Sequence, residues 1–180
     1  MRHPDKIKDL ITRLARIEAS ESWEADLNPA QRAALDYLAQ ANRFSRSPSH
    51  AAAYLGTTRG TTTQTFKALA RKGYVSEHRS QTDKRSISYN LTEAGSRCLD
   101  GQSLLERALP DIDPTERAQL DQGLQSLLRV AVRQNSFKPF GICRTCRHFQ
   151  TRQNGGYCTL LEQPLEPAET AQICHEHELA

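Results

Sequence analysis

Residues 57 to 73 read TTRGTTTQTFKALARKG. The run opens on two hydroxyl residues suited to capping a helix and closes on Gly73, a common helix stop. Phe66 and Leu69, with Ala70 four positions after Phe66, make one short apolar stripe. That stripe leaves Arg59, Thr61, Thr62 and Thr65 to point elsewhere. A first half with almost nothing apolar and many short donors is poor material for a core. It suits a helix whose front end enters the major groove of duplex DNA.

Immediately upstream, Ser49 to Leu55 reads as a short helix ended by Gly56, so the pair forms a helix-turn-helix pattern. Before it, Asn28-Pro29-Ala30-Gln31 is a compact start signal: an Asn cap, proline at the first helical position and Gln at the third. The helix it opens carries Ala34, Leu35 and Leu38 to about Ala41, and residues 43–48 read as a loop. Downstream, residues 74–78 and 85–91 read as two strands of a hairpin, the second alternating Ile87, Tyr89 and Leu91 with polar residues. The loop between them, Arg79 to Arg85, is polar and basic at both ends, as a wing would be.

Helical periodicity also marks residues 5–19, through Ile7, Leu10, Ile11, Leu14 and Ile17. Thr92-Glu93-Ala94-Gly95 restarts a helix expected to run on through Cys98, Leu99, Leu104, Leu105 and Leu109. Asp113-Pro114 opens a long one bearing Leu120, Leu124, Leu127, Leu128, Val130 and Ala131. These faces exceed what a small winged domain needs for its own core, so the surplus predicts a homodimer interface.

The chain has 180 residues and a net charge of only +3, but Arg43 to Arg85 holds nine Lys and Arg against Glu77 and Asp83. That segment carries +7 and the remainder −4, the footprint of a polyanion-binding middle. No apolar run approaches the roughly 18 residues of a membrane span, and MRHPDKIKD has no signal-peptide core, so the expected setting is cytoplasmic with no membrane partner. Nucleotide loops, flavin fingerprints and paired acid–base residues are lacking, which argues against an enzyme.

LGTTRGTTTQTFKALARKGYV followed by DKRSISYNLTEAG resembles regulators of the MarR (multiple antibiotic resistance) family. The second string is similar to that family's wing signature at Asp83, Arg85, Leu91, Thr92 and Gly95, and the resemblance follows element order over roughly residues 5–135. It implies a dimeric winged helix-turn-helix on a pseudo-palindromic operator, Arg85 in the minor groove and Asp83 buttressing the wing. The Ala- and Thr-rich AAAYLGTTRGTTT departs from the family pattern, so base preferences do not carry over. Groove-facing candidates are Thr57, Thr58, Arg59, Thr61, Thr62 and Gln64; Arg59 suits guanine, Gln64 adenine, and the threonines phosphate or a thymine methyl. Lys67, Arg71, Arg79 and Lys84 are phosphate candidates that add affinity without sequence preference.

Past Asn135 the composition changes. Residues 136–141 read as a linker, and four of the five cysteines fall in the last forty positions. Cys143 and Cys146 form C-x2-C; Cys158 follows after eleven residues and Cys174 after fifteen more. In a cytoplasmic setting such a set predicts a metal centre over disulfides. Structural zinc sites usually pair two close knuckles, whereas one C-x2-C with two separated cysteines is nearer to iron–sulfur ligation. CRTCRHF with GGYC is similar to small high-potential iron–sulfur domains, which implies a [4Fe-4S] cluster, with zinc the alternative. Gly155 and Gly156 are expected to bring backbone close to the inorganic core, and His148, His175 and His177 are spare candidate ligands. Cys98 reads either as a small buried hydrophobe or as a peroxide-sensing thiol.

The expected fold is mostly α with a small β-wing. Its parts are an N-terminal dimerisation helix (1–27), a winged helix-turn-helix (28–95), C-terminal dimerisation helices (96–135) and a cysteine-rich metal module (136–180). The tail follows directly on the presumed dimerisation helix, so it is expected to pack there. It would sense redox state, oxygen, nitric oxide or iron by altering the spacing of two recognition helices, which must span about 34 Å. A structural zinc clip with a small-molecule effector is the second regulator reading, and an electron-transfer module the rival outside that class.

Overall fold

The computed structural model describes residues 6–20, 26–80, 86–101, 103–135 and 137–179. The wing-tip candidates Asp83, Lys84 and Arg85 therefore lie outside the described residues.

Helix α2 (Pro29–Gln40) starts where the sequence says it should. Asn28 accepts from the Gln31 amide at 2.9 Å, and the Gln31 side chain accepts in turn from the Asn28 amide at 3.2 Å. These two bonds satisfy helix-end donors that would otherwise be orphaned. A 3-10 turn (Arg43–Ser45) leads to α3 (Pro48–Tyr54), capped by Ser47 and ended through Gly56 at φ +64°. Helix α4 (Arg59–Arg71) is capped by Thr58 and stops at Gly73, where φ is +79°. Strands β1 (Val75–Arg79) and β2 (Ile87–Leu91) pair antiparallel with Glu77 opposite Tyr89. The core of this unit is Leu35, Leu38, Phe66, Leu69, Val75 and Tyr89 with the alanines of α2 and α3, and the Phe66 and Tyr89 rings meet at 4.7 Å.

The Leu-Thr-x-x-Gly string has a local physical cause. Thr92 caps α5 (Glu93–Arg97), and its hydroxyl donates to the Gly73 carbonyl at 2.7 Å. A Cβ at Gly95 would stand 2.0 Å from the Tyr74 carbonyl oxygen, so no larger residue fits without moving backbone. Thr92 and Gly95 thus lock the base of the wing to the end of α4.

One long helix from Thr92 to Leu109 does not form. Helix α5 stops at Arg97, and α6 (Leu104–Ala108) begins anew on a Ser103–Glu106 capping box. The break falls at Asp100-Gly101, residues that favour turns over helix interiors. Helix α7 (Pro114–Gln134) and the first helix, α1 (Lys6–Ser20), are long, and no residue of either is buried. Ile7, Leu10, Ile11, Leu14 and Ile17 on α1 and Leu120, Leu124, Leu127, Leu128 and Val130 on α7 are all exposed. No described helix is long and apolar enough to cross a membrane.

The tail is a small β module. Strands β3 (Gly141–Ile142) and β7 (Ile173–Cys174) pair at its two ends; β4 (Phe149–Arg152), β5 (Gly155–Cys158) and β6 (Gln163–Leu165) form a three-stranded sheet between them. Its sequence position suggested a seat on α7, but the structure seats it on the winged unit. Its contacts run to the end of α2, the 3-10 turn and α3: Ala41 bridges Ile173, and Tyr54 meets the Phe140 ring edge-on at 5.2 Å.

Candidate nucleic-acid interface

The front of α4 presents Thr57, Thr58, Arg59, Thr61 and Gln64 to solvent, with Lys67 and Arg71 further along the helix. Arg59 occupies the first helical position, and the first turn has no acidic residue. A cation at the positive end of a helix dipole opposes folding slightly, which makes sense where an anion is to be met. The Thr58 hydroxyl accepts from the Thr61 amide at 3.1 Å and lies 2.9 Å from the Thr61 hydroxyl. Both are thus partly committed to the cap, while Arg59 and Gln64 carry the longer side chains toward solvent.

Thr62 does not face a groove. It is 2% exposed and lies in the core four residues before Phe66, with its hydroxyl unpartnered among the described atoms. Positions 62, 66 and 69 share one helix face, so the inward stripe is longer by one turn than apolarity suggested. Thr63 and Thr65 bond back to the Arg59 and Thr61 carbonyls at 2.7 and 3.1 Å.

Three of the basic residues in the middle segment serve internal joints. Arg46 donates to the Ala41 carbonyl at 3.0 Å and the Asn90 side chain at 2.9 Å. Lys72 pairs with Asp26, and Arg43 pairs with buried Glu169 in the tail while donating to the Pro164 carbonyl. Arg79 is exposed and pairs with Glu77 at 3.1 Å. The Tyr89 hydroxyl donates to Glu77 at 2.9 Å, and this bond is the main cause holding the Glu77 carboxyl below its ordinary range.

In the tail, Cys143 and Cys174 are buried side by side. The nearness of the two sulfurs, together with burial, pushes the Cys143 thiol up, while its partner holds the Cys174 thiol down. Cys158 packs against the same cluster. Cys146 lies one 3-10 turn after Cys143, and its sulfur accepts from the Glu178 amide at 3.5 Å. Asn42 of the helix-turn-helix donates to the Cys143 sulfur at 3.2 Å. Among the described residues no three His, Cys, Asp or Glu side chains are gathered closely enough to hold a metal ion. The four cysteines thus share one module, with Cys158 packed against the Cys143–Cys174 cluster.

Other tail expectations change. Gly155, at φ +104°, would put a Cβ 2.2 Å from the Leu165 carbonyl, and Gly156 lies against the Phe149 ring. Strand packing by itself requires glycine at both positions. His175 stacks on His50 at 3.5 Å, with its Nε2 2.9 Å from Glu176. Nε2 of His177 meets the Thr145 hydroxyl at 2.9 Å, whereas His148 lies 3.4 Å from Glu178. Cys98 packs against the main core, and its nearness raises the Tyr74 hydroxyl.

Sequence reasoning missed Asn42, Ser45 and Arg43 as the residues that join the tail to the winged unit. Their partners lie more than a hundred residues away, so no local pattern marks them.

Two short helices, the second fronted by exposed donors, and a two-stranded wing locked to its end define a winged helix-turn-helix. Residues 25–86 match a family model described as the MarR family. The fold is similar to a MepR–DNA complex from S. aureus (16% identity, TM-score 0.57, covering 69% of this chain and 94% of that one). It is also similar to FabT of Streptococcus pneumoniae in complex with DNA (22%, 0.55, 71% and 93%). A MarR transcriptional regulator from Methanosarcina mazei Go1 is matched at 19% identity and TM-score 0.59, over 72% of this chain and 98% of that one. No curated protein matches the sequence. These solved relatives are covered almost whole, so this chain carries a surplus comparable to its cysteine-rich module.

Proposed function

We propose that the protein is a dimeric, non-enzymatic transcription regulator that reads a pseudo-palindromic DNA operator with α4 and the wing. The exposed front of α4, held rigid by the Thr62–Phe66–Leu69 face behind it, is the observation that carries this reading. MepR and FabT, similar in fold, occur in DNA complexes. Arg59 and Gln64 would contact base edges, Lys67, Arg71 and Arg79 phosphates, and Arg85 the minor groove. The uncovered stripes of α1 and α7 supply the dimer contact that places two such helices about 34 Å apart.

Selection of bound duplexes from a random pool, followed by affinity against salt, tests this. A palindromic consensus and a steep salt dependence are expected, with Arg59→Ala losing about 10- to 100-fold in affinity. A monomer without duplex preference would reject it.

We also propose that Cys143, Cys146, Cys158 and Cys174 hold an iron–sulfur cluster through which the regulator senses redox or iron status. Two N–H donors already aimed at Cys143 and Cys146 sulfur support thiolate ligation, since such bonds stabilise metal-bound sulfur. Loading would draw at least two of the sulfurs closer to the others. Iron and acid-labile sulfide in protein purified without oxygen are the expected result; zinc without sulfide would replace the cluster by a structural clip.

A further inference from the structure

Asn42 has no exposed surface, and each of its polar groups is engaged. Its side-chain NH2 donates to the Cys143 sulfur at 3.2 Å, and its backbone N–H to the Ile173 carbonyl, beside Cys174, at 2.9 Å. Its side-chain oxygen accepts from the Phe44 amide at 3.1 Å and the Ser45 hydroxyl at 2.7 Å, forming the cap of the 3-10 turn. Ser45 receives the His175 amide on its hydroxyl at 3.0 Å and the Tyr37 hydroxyl on its carbonyl at 2.6 Å. The next residue, Arg46, accepts the Tyr89 amide at 3.0 Å and donates to Asn90, both on β2 of the wing. Ser47 then caps α3, which packs on α4. A continuous set of bonds thus runs from a cysteine sulfur through residues 42–47 to both DNA-reading elements, within one subunit and without passing through α1 or α7.

We propose that Asn42 is the positioning residue through which the bonding state of the Cys143 sulfur sets operator affinity, by tightening or loosening the 42–47 turn that carries α3, α4 and the wing. The proposal rests on the reading of Cys143 as a metal ligand. A sulfur bound to metal accepts an N–H differently from a protonated thiol, because its charge is shared with the metal and its proton is gone. The donor of Asn42 registers that difference, and its acceptor passes it to the turn. Contiguity alone does not make coupling; a measured change in one site with the other does.

The discriminating variant is Asn42→Asp. Aspartate keeps the oxygen that caps Phe44 and Ser45, but sets an acceptor where the donor to sulfur stood. Full-length protein, metal-loaded and chelator-treated, is titrated with the best duplex from the selection above. For the unaltered chain an affinity ratio of about tenfold or more between the two forms is expected. In Asn42→Asp the ratio falls toward one, and the visible absorption of the loaded protein shifts. Metal content is read first, without DNA: its absence from the unaltered chain defeats the cofactor reading itself. With metal present, an unchanged ratio in the variant, or no ratio in the unaltered chain, overturns this proposal alone. Should the variant fail to fold or load, hydrogen exchange on the unaltered chain decides. Loss of protection over residues 42–47 on metal removal supports the route; changes confined to α1 and α7 overturn it.

Discussion

Between Leu27 and Tyr89 one core joins eleven buried apolar residues, whereas the core of the tail module joins three, two of them cysteines. The first unit is held by its own packing and can aim α4 without help. The second resembles other very small domains, whose cores are too thin to stand without a cross-link or a surface to lean on. It leans on residues 41–50 through Asn42, Arg43, Ser45 and His50, and its sulfurs provide the means of cross-linking. One unit therefore has a shape independent of chemistry, and the other a shape that depends on it.

That contrast can be broken in graded steps. Phe66→Ala removes the ring that α4 and Tyr89 share, and should cost about 3–5 kcal/mol in denaturant unfolding of the DNA-reading unit. Cys174→Ser should abolish metal binding and open the tail to proteases while the winged unit still melts cooperatively; equal loss in both units would erase the distinction. Acid should act mainly on the joint between the tail and α3, where His175 stacks on His50. Burial lowers His175 and His177, and lowers His50 to about 4, so the folded state holds them neutral. Unfolded histidines take up protons near 6.5, so this stability is intact above that pH and is lost as pH falls toward about 4. Limited proteolysis at pH 7.5 and 5 should show the module coming off α3 at the lower pH while the core around Phe66 and Leu69 stays protected. Smallest is Thr62→Val, which replaces a buried unpartnered hydroxyl by a methyl of similar shape. It should stabilise by about 1 kcal/mol in thermal melts and leave duplex affinity unchanged.

How much was legible follows from where each signal lay. The Asn28–Gln31 cap, the stops at Gly56 and Gly73 and the Thr92–Gly95 lock act over a few residues, and each stood in the sequence as the structure has it. Thr62 was readable too, for it shares the face of Phe66 and Leu69, but a reading by apolarity alone passes over a buried hydroxyl. Asp100-Gly101 likewise announced the break that the expected long helix ignored. The seat of the tail was not readable. It is fixed by pairs 101 and 130 positions apart, Asn42 with Cys143 and Ser45 with His175, and periodicity carries no information over that span.

Those long separations also order events during synthesis. Domains fold as they emerge, N-terminal first, so the unit ending near Gly95 can be complete while Cys143 is still unmade. His175 and β7, which seat the module, are made well after that unit. Each newborn molecule thus passes through an interval with its winged unit assembled and its tail attachment missing. Translation speed through the codons between Gly95 and His175 sets how long that interval lasts.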